Sequence, residues 1–161
     1  QMKREKAGCH GVCMDTPGGK LHILADENGI CEVGFGEPEV PGIVWEETLL
    51  LREAVRQLTE YFTGGRRSFD LPLSTHGTAF QEQCWAALRE IPYGETRTYG
   101  QIARAVGRPK ACRAVGMANH NNPVAIITPC HRVIGADGSM TGYAGGVDKK
   151  EMLLRVEGVI R

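Results

Sequence analysis

Two short apolar runs, residues 20–25 (Lys-Leu-His-Ile-Leu-Ala) and 30–35 (Ile-Cys-Glu-Val-Gly-Phe), flank Asp26-Glu27-Asn28-Gly29. Runs of that length around an Asn-Gly turn predict a β-hairpin. After a connection carrying Pro38, Pro41 and Gly42, the period changes. Leu51, Ala54, Val55, Leu58 and Phe62 recur at helical spacing within 46–63, and Gly64-Gly65 ends the pattern. A further short strand is expected near Ser68-Phe69-Asp70-Leu71, before a linker over 71–77. Beyond it the chain reads as short helices. Thr78-Ala79-Phe80-Gln81 and Thr98-Tyr99-Gly100-Gln101 both fit a capping box, in which a hydroxyl and a side-chain amide satisfy each other's free backbone N–H groups. The first opens a helix with Phe80, Cys84, Leu88 and Ile91 on its buried stripe, stopped by Pro92-Tyr93-Gly94. The second opens a helix through Ile102, Ala103 and Val106 that Gly107 can close. Pro109 suits the first turn of another helix, Lys110 to about Asn119. Asp148-x-x-Glu151 is expected to cap a last helix carrying Met152, Leu153 and Val156 and ending at Gly158.

The reading is therefore an α/β unit over residues 1–74 followed by a mainly helical unit over 75–161. Charge divides the same way. The whole chain of 161 residues balances 19 Lys+Arg against 19 Asp+Glu, which alone would argue against a nucleic-acid partner. Residues 1–74 hold 8 basic and 12 acidic residues, net −4, and residues 75–161 hold 11 and 7, net +4. The zero is a sum of unlike halves. Between Thr96 and Ala136 lie Arg97, Arg104, Arg108, Lys110, Arg113 and Arg132 and no acid, a footprint suited to phosphates. The helices on either side of Gly107-Arg108-Pro109 make a helix-turn-helix candidate, and the second is rich in small residues, Ala111, Ala114, Gly116 and Ala118. A tight helix–helix contact with the arginines as a solvated face would leave the same pattern.

No apolar run approaches the length of a membrane span, and Gln1-Met2-Lys3-Arg4-Glu5-Lys6 is followed by no signal-peptide core. The six cysteines, Cys9, Cys13, Cys31, Cys84, Cys112 and Cys130, are then expected as thiols of a reducing compartment. Cys9-His10-x-x-Cys13, with His22 and Cys31, fits no strong zinc spacing, so an N-terminal strand with ordinary thiols is expected and no metal. The chemistry concentrates in Asn122-Pro123-Val124-Ala125-Ile126-Ile127-Thr128-Pro129-Cys130-His131-Arg132-Val133. A thiol becomes a nucleophile beside a base or a positive charge, and here both follow it directly. Neighbouring side chains do not naturally face each other, so His131 would act through a turn or a bridging water. Glu157 is one of several carboxylates that could orient it. Residue types alone also allow a core cysteine beside a surface histidine.

Pro129-Cys130-His131-Arg132-Val133, with Asn122-Pro123-Val124 before it and Gly142-Tyr143-Ala144-Gly145-Gly146 and Lys150-Glu151-x-Leu153-Leu154-x-x-Glu157-Gly158 after it, resembles the O6-alkylguanine-DNA alkyltransferases. The resemblance is close over 78–158 and looser over 15–70, where Asp15-Thr16-Pro17-x-Gly19-Lys20-Leu21 is retained. It implies a ribonuclease-H-like sheet plus helix, then a helical domain holding both helix-turn-helix and active site. It implies direct-reversal repair: O6-alkylguanine, with O4-alkylthymine a further candidate, is flipped from the duplex and its alkyl group passes irreversibly to Cys130. His131 would deprotonate Cys130 through a water, Glu157 would polarise His131, and Tyr99 would donate to the base. The carbonyls of Cys130 and Val133 would read the exocyclic amine, and the N–H of Ala144, after Tyr143, would meet O6. Asn122 would be the hinge after the recognition helix, and Asn119 and Ala125 would be pocket walls.

The resemblance also implies a minor-groove contact with double-stranded DNA through Ala111, Ala114 and Gly116, with Arg113 in the space left by the base; the acid-free stretch adds Arg132 to the expected DNA contacts. A monomer without cofactor is expected, cytoplasmic and nucleoid-associated, or nuclear in a eukaryotic source. A non-catalytic damage binder is the alternative, disfavoured because Cys130 is kept. A cysteine hydrolase would leave the acid-free stretch unexplained.

Overall fold

The computed structural model describes residues 8–140 and 142–161; the N-terminal stretch read for a signal peptide lies outside them. Chain contacts group into two compact units, residues 1–75 and 76–161.

In the first unit, strands β1 (His10–Thr16), β2 (Gly19–Asp26), β3 (Gly29–Phe35) and β4 (Val44–Trp45) form one sheet in the order β3-β2-β1-β4. The expected hairpin is β2–β3. Its turn is locked by the Asp26 carboxylate, which accepts from the N–H groups of Asn28 at 2.8 Å and Gly29 at 3.2 Å. Cys9 and Cys31 are buried around Leu24, with Val40 and Ile43 packed against them, while Cys13 is exposed. His22 has both ring nitrogens engaged, by the Gly36 carbonyl and by Glu32, each at 2.8 Å. Of the five residues weighed for zinc, Cys9 and Cys31 thus share an apolar cluster to which His10, Cys13 and His22 do not belong. Among the described residues no group of three His, Cys, Asp or Glu side chains could hold a metal ion.

Helix α1 (Leu49–Phe62) starts at Thr48, whose hydroxyl accepts from the Leu51 N–H, and packs on β1, β2 and β3 through Leu51, Ala54, Leu58 and Tyr61. The strand expected at 68–71 does not form. The Asp70 backbone bonds instead with the Gln57 side-chain amide, its N–H to Oε1 at 2.9 Å and its carbonyl from Nε2 at 3.0 Å, so it has no ladder to join. Pairing resumes only as a bridge between Ile30 and Leu73.

The second unit holds α2 (Ala79–Arg89), α3 (Tyr99–Ala105), α4 (Cys112–His120) and α5 (Val147–Val156), with a two-residue parallel pair, β5 (Arg97–Thr98) and β6 (Val133–Ile134). Both capping boxes form as expected. Two helix starts differ from expectation. Pro109 lies in a turn closed by the Ala111 N–H on the Arg108 carbonyl at 2.9 Å, and α4 begins only at Cys112. Asp148 stands inside the first turn of α5 rather than capping it. Gly146, at a φ of 101° that disfavours an L side chain, is the cap, and its carbonyl takes the N–H groups of Lys149 and Lys150. Trp85 ties α2 to α4 by donating to the Ala118 carbonyl at 2.8 Å. Among the described residues no helix is long and apolar enough to cross a membrane.

Candidate active site

The segment after α4 is shaped by Asn122. Its Oδ1 accepts from the Val124 N–H at 3.1 Å and its Nδ2 donates to the Thr128 carbonyl at 2.8 Å, closing a turn around Pro123. Ile126 within that turn has φ 72°, the only non-glycine residue in the left-handed region among those described. A β-branched residue holds that conformation only where its surroundings impose it, and Ile126 is buried. The chain then enters a single 3₁₀ turn, Cys130–Arg132, all three residues buried. That turn separates adjacent side chains in direction.

Burial pushes the Cys130 thiol up to about 11, against a hydrogen bond from Asn122 and the charge of Lys150. The resting group is therefore a neutral thiol. His131 is fully buried, and its Nε2 lies 2.6 Å from Glu157 Oε2. Glu157 accepts from Arg132 at both oxygens, Nε to Oε1 at 2.9 Å and a terminal nitrogen to Oε2 at 3.0 Å, and from the Gly94 N–H at 3.2 Å. Donors converging in this way stabilise the carboxylate anion, so Nε2 of His131 must carry the hydrogen. Nδ1 is then a bare lone pair, and it has no hydrogen-bond partner among the described residues. Burial lowers the pKa of His131 despite Glu157, with the positive charges of Arg132 and Lys150 helping. The ring is held as a neutral base.

Arg132 departs from expectation. The charge pattern expects it on DNA phosphates, but it is buried, with its guanidinium on Glu157 and on the Ile91 carbonyl at 2.7 Å, and 5.9 Å from the centroid of the Tyr93 ring. Planar bidentate pairing with a buried carboxylate uses the donors that a phosphate would need. Within the acid-free stretch, Arg104, Arg108, Lys110 and Arg113 are exposed. Alongside Arg113, α4 exposes Ala114 and Met117, the latter 61% accessible, while Ala111 and Gly116 are half-buried. A Cβ added at Gly116 would meet nothing.

Tyr143 is buried and its hydroxyl has no hydrogen-bond partner among the described residues; burial first, and the charge of Cys130 second, raise its pKa well above the usual phenol value. Tyr99, half-buried at the start of α3, is raised for the same two reasons. Gly142 lets the Tyr99 phenol come close: a Cβ there would lie 2.8 Å from the hydroxyl. Ala144 is exposed in the same loop. The Val133 carbonyl receives Lys150 Nζ at 2.6 Å, and the Cys130 carbonyl receives the Val133 N–H and, at 3.3 Å, Asn119 Nδ2.

Lys150 is the residue that reading the sequence for chemistry missed. It is fully buried beneath the site, and burial lowers its pKa against the charge of Cys130. Its signal was available: with Leu153 and Leu154 it occupies the apolar stripe of its helix, where a lysine is rare unless bonded.

Models of two domains match the chain, the ribonuclease-like domain of 6-O-methylguanine DNA methyltransferase over residues 12–75 and the DNA-binding domain of the same proteins over 79–159. The chain belongs to the 6-O-methylguanine DNA methyltransferase family. Among the relatives in this family, the methylated-DNA–protein-cysteine methyltransferase of Methanosarcina acetivorans is 54% identical over 148 residues, 89% of this chain and 95% of that protein. The constitutive enzyme of that name from Bacillus subtilis is 46% identical over 153 residues, 89% and 92% of the two chains. Mycobacterium tuberculosis OGT, crystallised in complex with DNA, superposes with a TM-score of 0.87 at 44% identity over 92% of each chain.

Proposed function

We propose that this protein repairs alkylated DNA by direct reversal, binding duplex DNA, flipping O6-alkylguanine out of the stack and accepting its alkyl group on Cys130. The observation that carries the reading is the relay itself: a buried thiol followed by a neutral histidine whose free lone pair is fixed by Glu157. Family membership and the relatives' names supply the reaction class.

Each part then has a task. The dry surroundings keep Cys130 protonated and unreactive until a substrate arrives. His131 Nδ1 takes the thiol proton through a bridging water, and Glu157, itself held by Arg132, stabilises the imidazolium that results. The sulfur attacks the alkyl carbon, the carbon–O6 bond breaks, and its electron pair stays on the guanine, which takes up a proton. Tyr99 donates to the departing base, and the buried ammonium of Lys150 favours the thiolate as it forms. The thioether has no route back, so each molecule reacts once.

On the DNA side, Arg104, Arg108, Lys110 and Arg113 supply phosphate attraction, and the small face of α4 suits the narrow minor groove. Arg113 fills the space of the flipped base, and the protein acts as a monomer. Intact mass measured after mixing with one equivalent of duplex carrying O6-methylguanine is expected to rise by one methyl on the peptide containing Cys130, with no second turnover. Repeated turnover, or methyl on another cysteine, refutes the assignment. Arg113→Ala is expected to slow repair in duplex DNA while leaving the thermal unfolding midpoint in place; an undiminished rate removes Arg113 from the flipping step.

A further inference from the structure

Among the described residues of the second unit, the large apolar side chain most open to solvent is Met117, 61% exposed; Val147 follows at 43%. Helix α4 buries its other face through Val115, Ala118 and Asn119, and the Trp85 bond to the Ala118 carbonyl ties that face to α2. Met117 therefore belongs to the outer face, where it contributes nothing to the core and has no charge to offer a phosphate.

Its neighbours define the kind of surface it stands on. Arg113 lies four residues before it, one turn away on the same side of the helix and about 6 Å along the axis. Ala114 is exposed and small, and a Cβ added at Gly116 would meet nothing, so Met117 projects from a face with little other bulk. Arg108 and Lys110, just before the helix, are exposed as Arg113 is, and no acid occurs between Thr96 and Ala136. A site for an apolar protein partner would carry further apolar groups around the methionine; here the surroundings are cationic. A flexible, unbranched thioether set among cations matches a polyanion whose groove has apolar walls, as the sugars and base edges of the DNA minor groove provide.

We propose that Met117 enters the minor groove beside Arg113 as an apolar wedge against the sugars and base edges there. It adds affinity that does not come from counter-ion release, which the neighbouring arginines and Lys110 supply. This rests on the reading of α4 as the helix that meets duplex DNA. The test measures binding of a fluorescent undamaged duplex by anisotropy over a series of salt concentrations. The wild type is compared with Met117→Gln, which keeps the length of the side chain but makes it polar, and with Met117→Leu, which keeps it apolar.

Met117→Gln is expected to bind about tenfold more weakly at every salt concentration, the worth of burying one such side chain, with the slope of log affinity against log salt unchanged. Met117→Leu is expected to bind within about twofold of the wild type. Undiminished binding by Met117→Gln overturns the proposal. Equal losses in the two variants overturn it too, since they would assign the effect to the shape of the helix surface, and so does a shallower salt slope in Met117→Gln, which would place the lost contact on the phosphates. The wild type alone supplies a second measurement. Peroxide oxidation of Met117, followed by peptide mass against Met14 of the acidic unit, is expected to slow several-fold when duplex is present in excess; a Met117 that stays equally reactive in the complex overturns the proposal. Failure of the wild type to bind any duplex would instead refute the proposed function, and this inference with it.

Discussion

Each unit of the molecule buries a histidine against a glutamate, and the two pairs are tuned in opposite directions. In the first, His22 meets Glu32 at 2.8 Å and the Gly36 carbonyl at 2.8 Å, so both ring nitrogens face acceptors. Burial opposes protonation of His22, but these two bonds and the charges of Glu32 and Glu37 outweigh it, and its pKa is raised. In the second, His131 meets Glu157 at 2.6 Å, but that carboxylate is shared with Arg132, Lys150 adds a further positive charge, and the other nitrogen has no acceptor. Its pKa is lowered. A histidine–carboxylate pair is thus not by itself a catalytic signature. What separates a structural clip from a base is whether the second nitrogen is spent and whether the carboxylate's charge is already compensated.

The largest expected difference is in rate. His131→Gln is expected to slow methyl transfer by about 10²–10⁴, the usual worth of a positioned general base. His22→Gln is expected to transfer at the wild-type rate and to unfold at lower urea. Quenched-flow measurement of methylated protein on the same duplex checks both. Comparable losses from the two substitutions would erase the distinction.

This contrast could not be read from the chain alone, and the reason is range. Features set within three or four residues were legible: both capping boxes, the Asp26–Gly29 turn and the left-handed Gly107 that closes the helix before the turn. The resemblance brought Cys130, His131 and Glu157 forward together because a whole motif carries them. Features that depend on a distant partner were not legible. Arg132 looked like a phosphate ligand because Glu157, 25 residues away, is its true partner. Asp70 looked like a strand residue because nothing local reveals the amide of Gln57, and nothing local names the Val133 carbonyl as the acceptor of Lys150, although its place on the apolar stripe marks it as buried.

The second comparison is of the carboxylates. Glu157→Gln leaves Arg132 buried without its counter-ion, and removing one partner of such a pair costs about 3–5 kcal/mol. Glu32 is 22% exposed at its side chain, where water can replace the bond it makes to His22. Glu32→Gln is expected to cost about 1 kcal/mol, the scale of one hydrogen bond. Equilibrium urea unfolding ranks the two; equal losses would mean that the Arg132 pair is solvated after all.

A smaller effect tests why His131 is a base. Because the ammonium of Lys150 is among the charges that lower its pKa, Lys150→Met is expected to move the acid limb of the transfer rate toward higher pH. The rate–pH profile reads this directly. A limb that stays in place, with only the plateau lowered, would assign Lys150 to the thiolate alone.

The smallest effect is on stability, and its sign differs between the two histidines. The pKa of His22 is raised in the folded protein, so its contribution is full below the unfolded value of 6.5 and is lost as pH rises through the folded value. The pKa of His131 is lowered, so the reverse holds: its contribution is present above 6.5 and is lost as pH falls through the folded value. The urea midpoint of His22→Gln is therefore expected to approach the wild-type midpoint as pH rises above 6.5, whereas that of His131→Gln approaches it as pH falls below 6.5. Two curves of the same slope would show that the surroundings of the two rings do not differ in the way their hydrogen bonds require.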